Sequence, residues 1–144
     1  MTRETCITIH CRGHPLVRAD HPITFEITRD EELTLQGNCI IGVGADRGAG
    51  SLPRDFRSLL CSDDARLHTV LSCEGMVIEI QARGSSAFTL DHPKDMVWRR
   101  SAYICERTVA IGADTTARTI PRPFVETLRS GSALRADLTV TVDE

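Results

Sequence analysis

Two Asp-His-Pro triplets, Asp20-His21-Pro22 and Asp91-His92-Pro93, are the first places in this chain where residue types could move a proton. An imidazole with an unperturbed pKa of about 6.5 is usable as acid or base near neutrality. Neighbouring side chains on a strand point to opposite faces, so Asp20 is not taken to orient His21, and no triad is read here. The surroundings of the two triplets differ. Lys94, Asp95, Trp98 and Arg99 follow the second, where Ile23, Thr24, Ile27 and Thr28 follow the first. His92 and Asp95 are therefore the candidate acid–base pair of an enzyme. Asp20, His21 and Asp91 are candidate turn residues, each accepting or packing at a strand entry.

Charge concentrates after the second triplet, so Lys94, Arg99 and Arg100 are candidate anion-binding residues, and His14 joins them because Ser85 takes its place in the second half. Gly44 and Asp46, with Gly112 and Asp114, leave apolar strands and approach helices. Small residues there let backbone amides approach an anion. Neither segment has the G-x-x-x-x-G-K-[ST] or dinucleotide spacing, and a tight turn braced by the aspartate is the alternative reading. Cys6, His10, Cys11 and His14 form a sequence-local cluster of soft ligands, but Cys11 would face away from Cys6 and His10 on a strand. No metal site is assigned, and no cofactor is specified by the sequence.

The frame that must position these groups is 144 residues long with a formal charge of -3. That length buries roughly 68–70% of the unfolded surface without staples. With 26% charged and 41% hydrophobic residues the composition excludes a disordered or low-complexity chain. The negative balance removes any global attraction to nucleic acid or an anionic membrane, leaving only a local patch. Lys94 is the one lysine among 17 basic residues. Arginine suits phosphate recognition, although biased coding composition also explains the excess. The six cysteines lack C-x-x-C spacing, there is no signal-like apolar N-terminus, and no run approaches the roughly 20 residues of a membrane helix. Reduced thiols in a cytoplasmic protein without membrane spans are expected.

The chain also repeats itself. Arg12-Gly13 and Asp20-His21-Pro22 recur 71 positions later, while Gly44-Ala45-Asp46, Ala49, Pro53-Arg54, Phe56, Leu60, Ser62 and Ala65 recur 68 positions later. Residues 12–29 and 39–65 give 16 identities in 45 positions, against roughly 3 for unrelated segments. An internal duplication is read, with copies at about 6–73 and 76–142 in a single domain spanning 1–144.

Each copy has one order of elements. Alternation predicts strands at 6–11 and 76–81; strands entered through proline follow at 23–28 and 94–99. Apolar strands at 39–44 and 109–111 are expected to be central. A short helix follows in each copy: Ser51 is its expected cap, with Pro53 in the first turn and Phe56, Leu59 and Leu60 on one face, and Thr119, Pro121, Phe124 and Leu128 repeat this before Gly131. Final strands are expected at 66–72 and 134–142. The fold class is α+β: β-β-β-α-β twice, forming a pseudo-twofold β-barrel or strongly curved sheet with two short helices. Trp98 is expected to be buried.

The run Arg-Gly-His-Pro, Glu26-Ile27-Thr28, Cys39-Ile40-Ile41-Gly42-Val43, His92-Pro93-x-Asp95-Met96-Val97, Arg107-Thr108 and Ala113-Asp114 resembles an archaeal family, domain of unknown function 371. The likeness spans nearly the whole chain and implies a small archaeal intracellular protein, without an activity to carry over. Where that pattern has Ala-Asp-Lys, this chain has Arg47 and Thr115 after the aspartates. The reading is therefore a binding protein for a small anionic or phosphorylated ligand held between the halves. An enzyme using His92 and Asp95 is the alternative, and an RNA-binding module using Arg99, Arg100 and Arg107 is the second alternative, which leaves nucleic acid open as a partner.

Overall fold

The computed structural model describes residues 1–143. In chain order the elements are β1 (Thr2–Arg12), β2 (Thr24–Thr28), β3 (Ile40–Gly42), α1 (Arg54–Leu60), β4 (Arg66–Cys73), β5 (Met76–Arg83), β6 (Asp95–Arg99), β7 (Thr108–Ala110), α2 (Arg122–Arg129) and β8 (Ala133–Asp143). The class is mixed α+β. Two four-stranded sheets form, ordered β1-β8-β4-β5 and β3-β2-β6-β7. Exchanging β1 with β5, β2 with β6, β3 with β7 and β4 with β8 leaves both orders unchanged.

The first sheet follows from period-two alternation: Leu67, Thr69, Leu71 and Cys73 of β4 and Leu134, Ala136, Leu138, Val140 and Val142 of β8 are buried, and their neighbours in sequence are not. Phe25, Ile27, Met96 and Trp98 of the second sheet join the same hydrophobic cluster. Phe56, Leu59 and Leu60 of α1 and Phe124, Val125 and Leu128 of α2 are buried in that cluster. Two close approaches explain the repeated Arg-Gly pairs. A Cβ on Gly13 would overlap the Leu128 carbonyl at the end of α2, and one on Gly84 would overlap the Leu60 carbonyl at the end of α1.

Two expectations are corrected. The apolar strands β3 and β7 are edges of their sheet, each parallel to its one neighbour, and not central. They are apolar on both faces because they abut the first sheet, through single antiparallel bridges Arg12–Val43 and Arg83–Ile111. The second correction is that no closed barrel forms. Gly44 and Gly112, with φ of 63° and 60°, turn the chain away one residue after each bridge, so neither seam grows into a ladder. Asp46 and Asp114 complete the seams instead: Asp46 Oδ1 accepts the His10 N–H at 3.1 Å and Asp114 Oδ1 accepts the Gln81 N–H at 3.1 Å.

The helix starts also differ from expectation. Ser51 and Thr119 cap preceding 3-10 turns, receiving the N–H of Gly48 and Thr116 at 3.0 and 2.9 Å, while Pro53 and Pro121 stand at the helix N-caps. No helix of the described residues is long and apolar enough to cross a membrane. All six cysteines are free thiols. Reductant together with a chelator should leave the melting temperature unchanged within a degree or so; a drop of many degrees would mean that the fold depends on a disulfide or a metal.

Candidate functional site

An open groove of about 310 Å³ lies at the β5–β7 seam, lined by Arg66, Gln81, Ala82, Arg83, Gly112 and Asp114. Arg66 and Arg83 are direct cross-strand partners in the β4–β5 ladder, and both side chains are exposed. Like charges directly opposite one another are unfavourable unless something neutralises them. Arg66 has an internal counter-ion: its Nη1 donates to Asp143 Oδ2 at 2.9 Å, and Thr2 Oγ1 donates to Asp143 Oδ1 at 2.9 Å. The Arg66 hydrogen bond, helped by Thr2, holds the Asp143 carboxyl below the usual carboxylate range. Arg83 makes no side-chain hydrogen bond or ion pair with the described residues. Its guanidinium lies over Gly112, where a Cβ would come within 3.1 Å of Nε. Asp114 Oδ1 is occupied by the Gln81 N–H and the Thr115 hydroxyl, leaving Oδ2 without a partner among the described residues.

At the other seam, where Arg12 bridges Val43, the arginine is neutralised. Arg12 stands opposite Ala133 in the β1–β8 ladder, and its guanidinium is paired with Glu31. Glu31 corresponds at a displacement of 71 to Ala102, so nothing comparable reaches Arg83.

A second polar cluster lies on the face of β2 and β6 that points away from the hydrophobic core. Thr24, Glu26 and Thr28 are buried there, Glu26 with 4% of its surface exposed. Thr28 and Asp95 are register partners, and Thr28 Oγ1 donates to Asp95 Oδ1 at 2.7 Å. Arg107 Nη1 bridges the carboxyls of the two strands, 3.2 Å from Glu26 Oε1 and 3.3 Å from Asp95 Oδ2. Cys39 Sγ adds a long contact to Glu26 Oε1 at 3.8 Å. Two carboxyls thus share one guanidinium. Burial, reinforced by the Asp95 charge, pushes the Glu26 carboxyl up to about 7 against the pull of Arg107. Burial beside Glu26 pushes the Cys39 thiol up to about 11.

His92 reaches this cluster from its edge, Nε2 lying 3.9 Å from Asp95 Oδ2. Its Nδ1 accepts the N–H of Lys94 at 3.2 Å and of Asp95 at 2.9 Å, so the neutral ring carries its proton on Nε2, toward the carboxylate. His21 is held alike, Nδ1 accepting the Ile23 and Thr24 N–H groups at 3.2 and 3.1 Å. Beyond Asp95, Arg99 Nε donates to Thr108 Oγ1 at 2.9 Å, and its Nη2 lies 3.2 Å from Cys105 Sγ. Burial works against the Cys105 thiolate, yet the Arg107 N–H, Thr108, Arg99 and the Arg107 side chain together hold the thiol below its ordinary value.

The sequence-predicted residues are thus divided. His92 and Asp95 meet, with Arg99 on the same strand face. Gly112 and Asp114 meet Arg83 in the groove, and Gly44 and Asp46 stand at the opposite seam. Lys94 leaves the cluster to pair with Asp30 at 3.0 Å, and Arg100 is exposed with no side-chain partner among the described residues. His14 Nδ1 accepts the Leu16 N–H at 3.0 Å in the loop whose Gly13 lies against the end of α2. Asp20 pairs with Arg18 at 3.0 Å, and Asp91 accepts the Thr89 hydroxyl at 3.0 Å. Sequence reasoning missed Glu26, Cys39, Arg66, Gln81 and Arg83 as site residues. The missed signal at Arg83 was that Ala102, and no acidic residue, stands 71 positions after Glu31.

The family described as "Domain of unknown function (DUF371)" matches residues 9–141. An uncharacterized protein of Methanocaldococcus jannaschii is 37% identical over 126 residues, covering 88% of this chain and 93% of that protein.

Proposed function

The chain belongs to the family of domain of unknown function 371, and from that premise and the groove geometry we propose that it binds a small anionic or phosphorylated ligand between two duplicated halves, about 6–73 and 76–142. Arg83 carries this reading: a guanidinium directly opposite a second arginine, with no partner among the described residues and glycine beneath it. Arg66 comes from one half, and Gln81, Arg83, Gly112 and Asp114 come from the other. Guanidinium forks match phosphate oxygens, and the like-charge opposition of the two arginines is relieved by a shared anion. The alternation Lys94, Arg99 and Arg100 offers less, because Arg99 is engaged by Thr108 and Cys105 and Lys94 by Asp30. A cytoplasmic setting accords with six free thiols.

Isothermal titration with inorganic phosphate tests the reading. A charge-assisted hydrogen bond contributes about 1.5–3 kcal/mol, so Arg83→Gln should weaken phosphate binding roughly tenfold or more without changing the circular dichroism. No phosphate binding by the wild type at millimolar concentration, or equal binding by the variant, overturns it.

A second reading rests on the Glu26–Asp95–Arg107 cluster: an enzyme in which Asp95, in reach of His92, is the base and Glu26 the acid. A carboxyl raised by burial, sharing one guanidinium with a second carboxyl, is an arrangement acid–base chemistry uses. Glu26 is covered, so such a substrate would have to enter by movement of the segments around Cys39 and Arg107. An RNA interface through Arg99, Arg100 and Arg107 finds less support, since two of those three guanidinium groups are turned to internal partners.

A further inference from the structure

Three side chains of the first sheet's outer face form a row across three strands: Asp143 on β8, Arg66 on β4 and Arg83 on β5. Arg66 is in register with Thr141 on one side and with Arg83 on the other, so Asp143 is its diagonal neighbour, within reach of a long side chain. The carboxylate sits on Arg66 and has no contact with Arg83. Resting on the groove as the ligand site, we infer that Asp143 is a built-in competitor for the anion, and that the ligand group able to displace it is a dianion such as a phosphate monoester.

The argument is one of charge and reach. A carboxylate satisfies one guanidinium and leaves the second bare. A tetrahedral dianion has oxygens enough for both forks at once, with two charges facing two. Displacement is inexpensive, because Arg66 and Asp143 each keep 58% of their side-chain surface in water and such exposed pairs are weak. The released Asp143 keeps the Thr2 hydroxyl as a donor. Asp114 sets a second condition. Its Oδ2 has no partner in the groove and repels an anion that comes too near, so the ligand's remainder should present a hydroxyl or ammonium donor to it.

Titrations with inorganic phosphate, acetate and O-phosphoethanolamine on wild type, Asp143→Asn, Glu79→Gln and Arg83→Gln separate the claims. Glu79 stands on the same sheet face, paired with His68, so Glu79→Gln removes one charge without freeing Arg66. Asp143→Asn should tighten phosphate by up to about fivefold, the range of an exposed ion pair, with less than twofold for Glu79→Gln. Acetate should bind far more weakly than phosphate, and O-phosphoethanolamine at least as well as phosphate. Equal effects of Asp143→Asn and Glu79→Gln, with Arg83→Gln still losing the phosphate, would overturn the competitor and leave the site. Acetate matching phosphate would overturn the dianion requirement. If Arg83→Gln binds as the wild type does, the groove reading itself fails.

Discussion

Between pH 5 and pH 8 the protein should lose roughly 2–3 kcal/mol of unfolding free energy through one side chain, Glu26. Its carboxyl is raised from 4.5 to about 7 in the fold, by burial first and by Asp95 second. Raised in the native state, the group holds its proton more tightly there than in the unfolded chain. Its contribution is thus complete below about pH 4.5 and is lost as the pH rises through 7. Carboxyls whose values are lowered, Asp20, Asp63 and Asp143, act in the opposite direction, but only as the pH falls through values below 3.8, outside this window. The buried thiols of Cys11 and Cys39, at about 12 and 11, stay protonated throughout it. Glu26→Gln copies the neutral acid in shape and can still accept from Arg107. In urea unfolding the variant's lead over the wild type should be small near pH 5 and grow by that difference up to pH 8. An unchanged slope in the variant would mean that the Glu26 proton does not carry the effect.

Glu26 also shows where sequence reasoning stops. The strand Thr24-Phe25-Glu26-Ile27-Thr28 alternates apolar and polar residues, and its apolar members Phe25 and Ile27 lie in the hydrophobic cluster. The alternation could not place Glu26 beside Asp95, because the register of β2 against β6 joins residues about 70 positions apart and has no local signature. The same limit misplaced β3 and β7. Apolar residues on both faces say that a strand is covered, and a central position is the usual cause, whereas here the cover is the edge of the other sheet. Local chemistry was legible. Proline before β2 and β6, the repeated Arg-Gly pair and the aspartates after Gly44 and Gly112 all mark turns found in the fold. Among the candidate site residues, His92 and Asp95 were legible because they lie three apart on one segment. Arg66 was not, since its meaning depends on Arg83 and Asp143 across two ladders.

The substitution expected to cost most is Trp98→Ala, at about 3–5 kcal/mol. Trp98 is fully buried on the core face of β6, while Asp95 and Arg99 of the same strand belong to the opposite, polar side. Its ring stacks on Phe25 of the neighbouring strand, with centroids 4.8 Å apart and planes 13° from parallel. Phe25 and Trp98 are register partners on β2 and β6, so the stack bridges the same strand pair as the Arg107 clamp on the far face. The indole N–H donates to Thr69 Oγ1 at 3.0 Å, which ties the second sheet to β4 of the first. Truncation removes the stack, the hydrogen bond and the largest buried side chain together, and the surrounding strands cannot close the space because both sheets fix it. For a domain whose stability is typically about 5–15 kcal/mol, that approaches unfolding at 37 °C. Graded variants separate the contributions. Trp98→Phe keeps a ring against Phe25, whereas Thr69→Val leaves the indole N–H unpaired in the core at a cost of about 1–3 kcal/mol. Trp98 is the one tryptophan, so the alanine variant must be followed by circular dichroism, and fluorescence can follow Thr69→Val. A loss below about 1 kcal/mol in Trp98→Ala would mean that the two sheets are not held together through this residue. Asp95 and Arg99 ride on the strand that Trp98 anchors. The polar cluster should therefore loosen in Trp98→Ala, and the Glu26 slope between pH 5 and pH 8 should flatten with it.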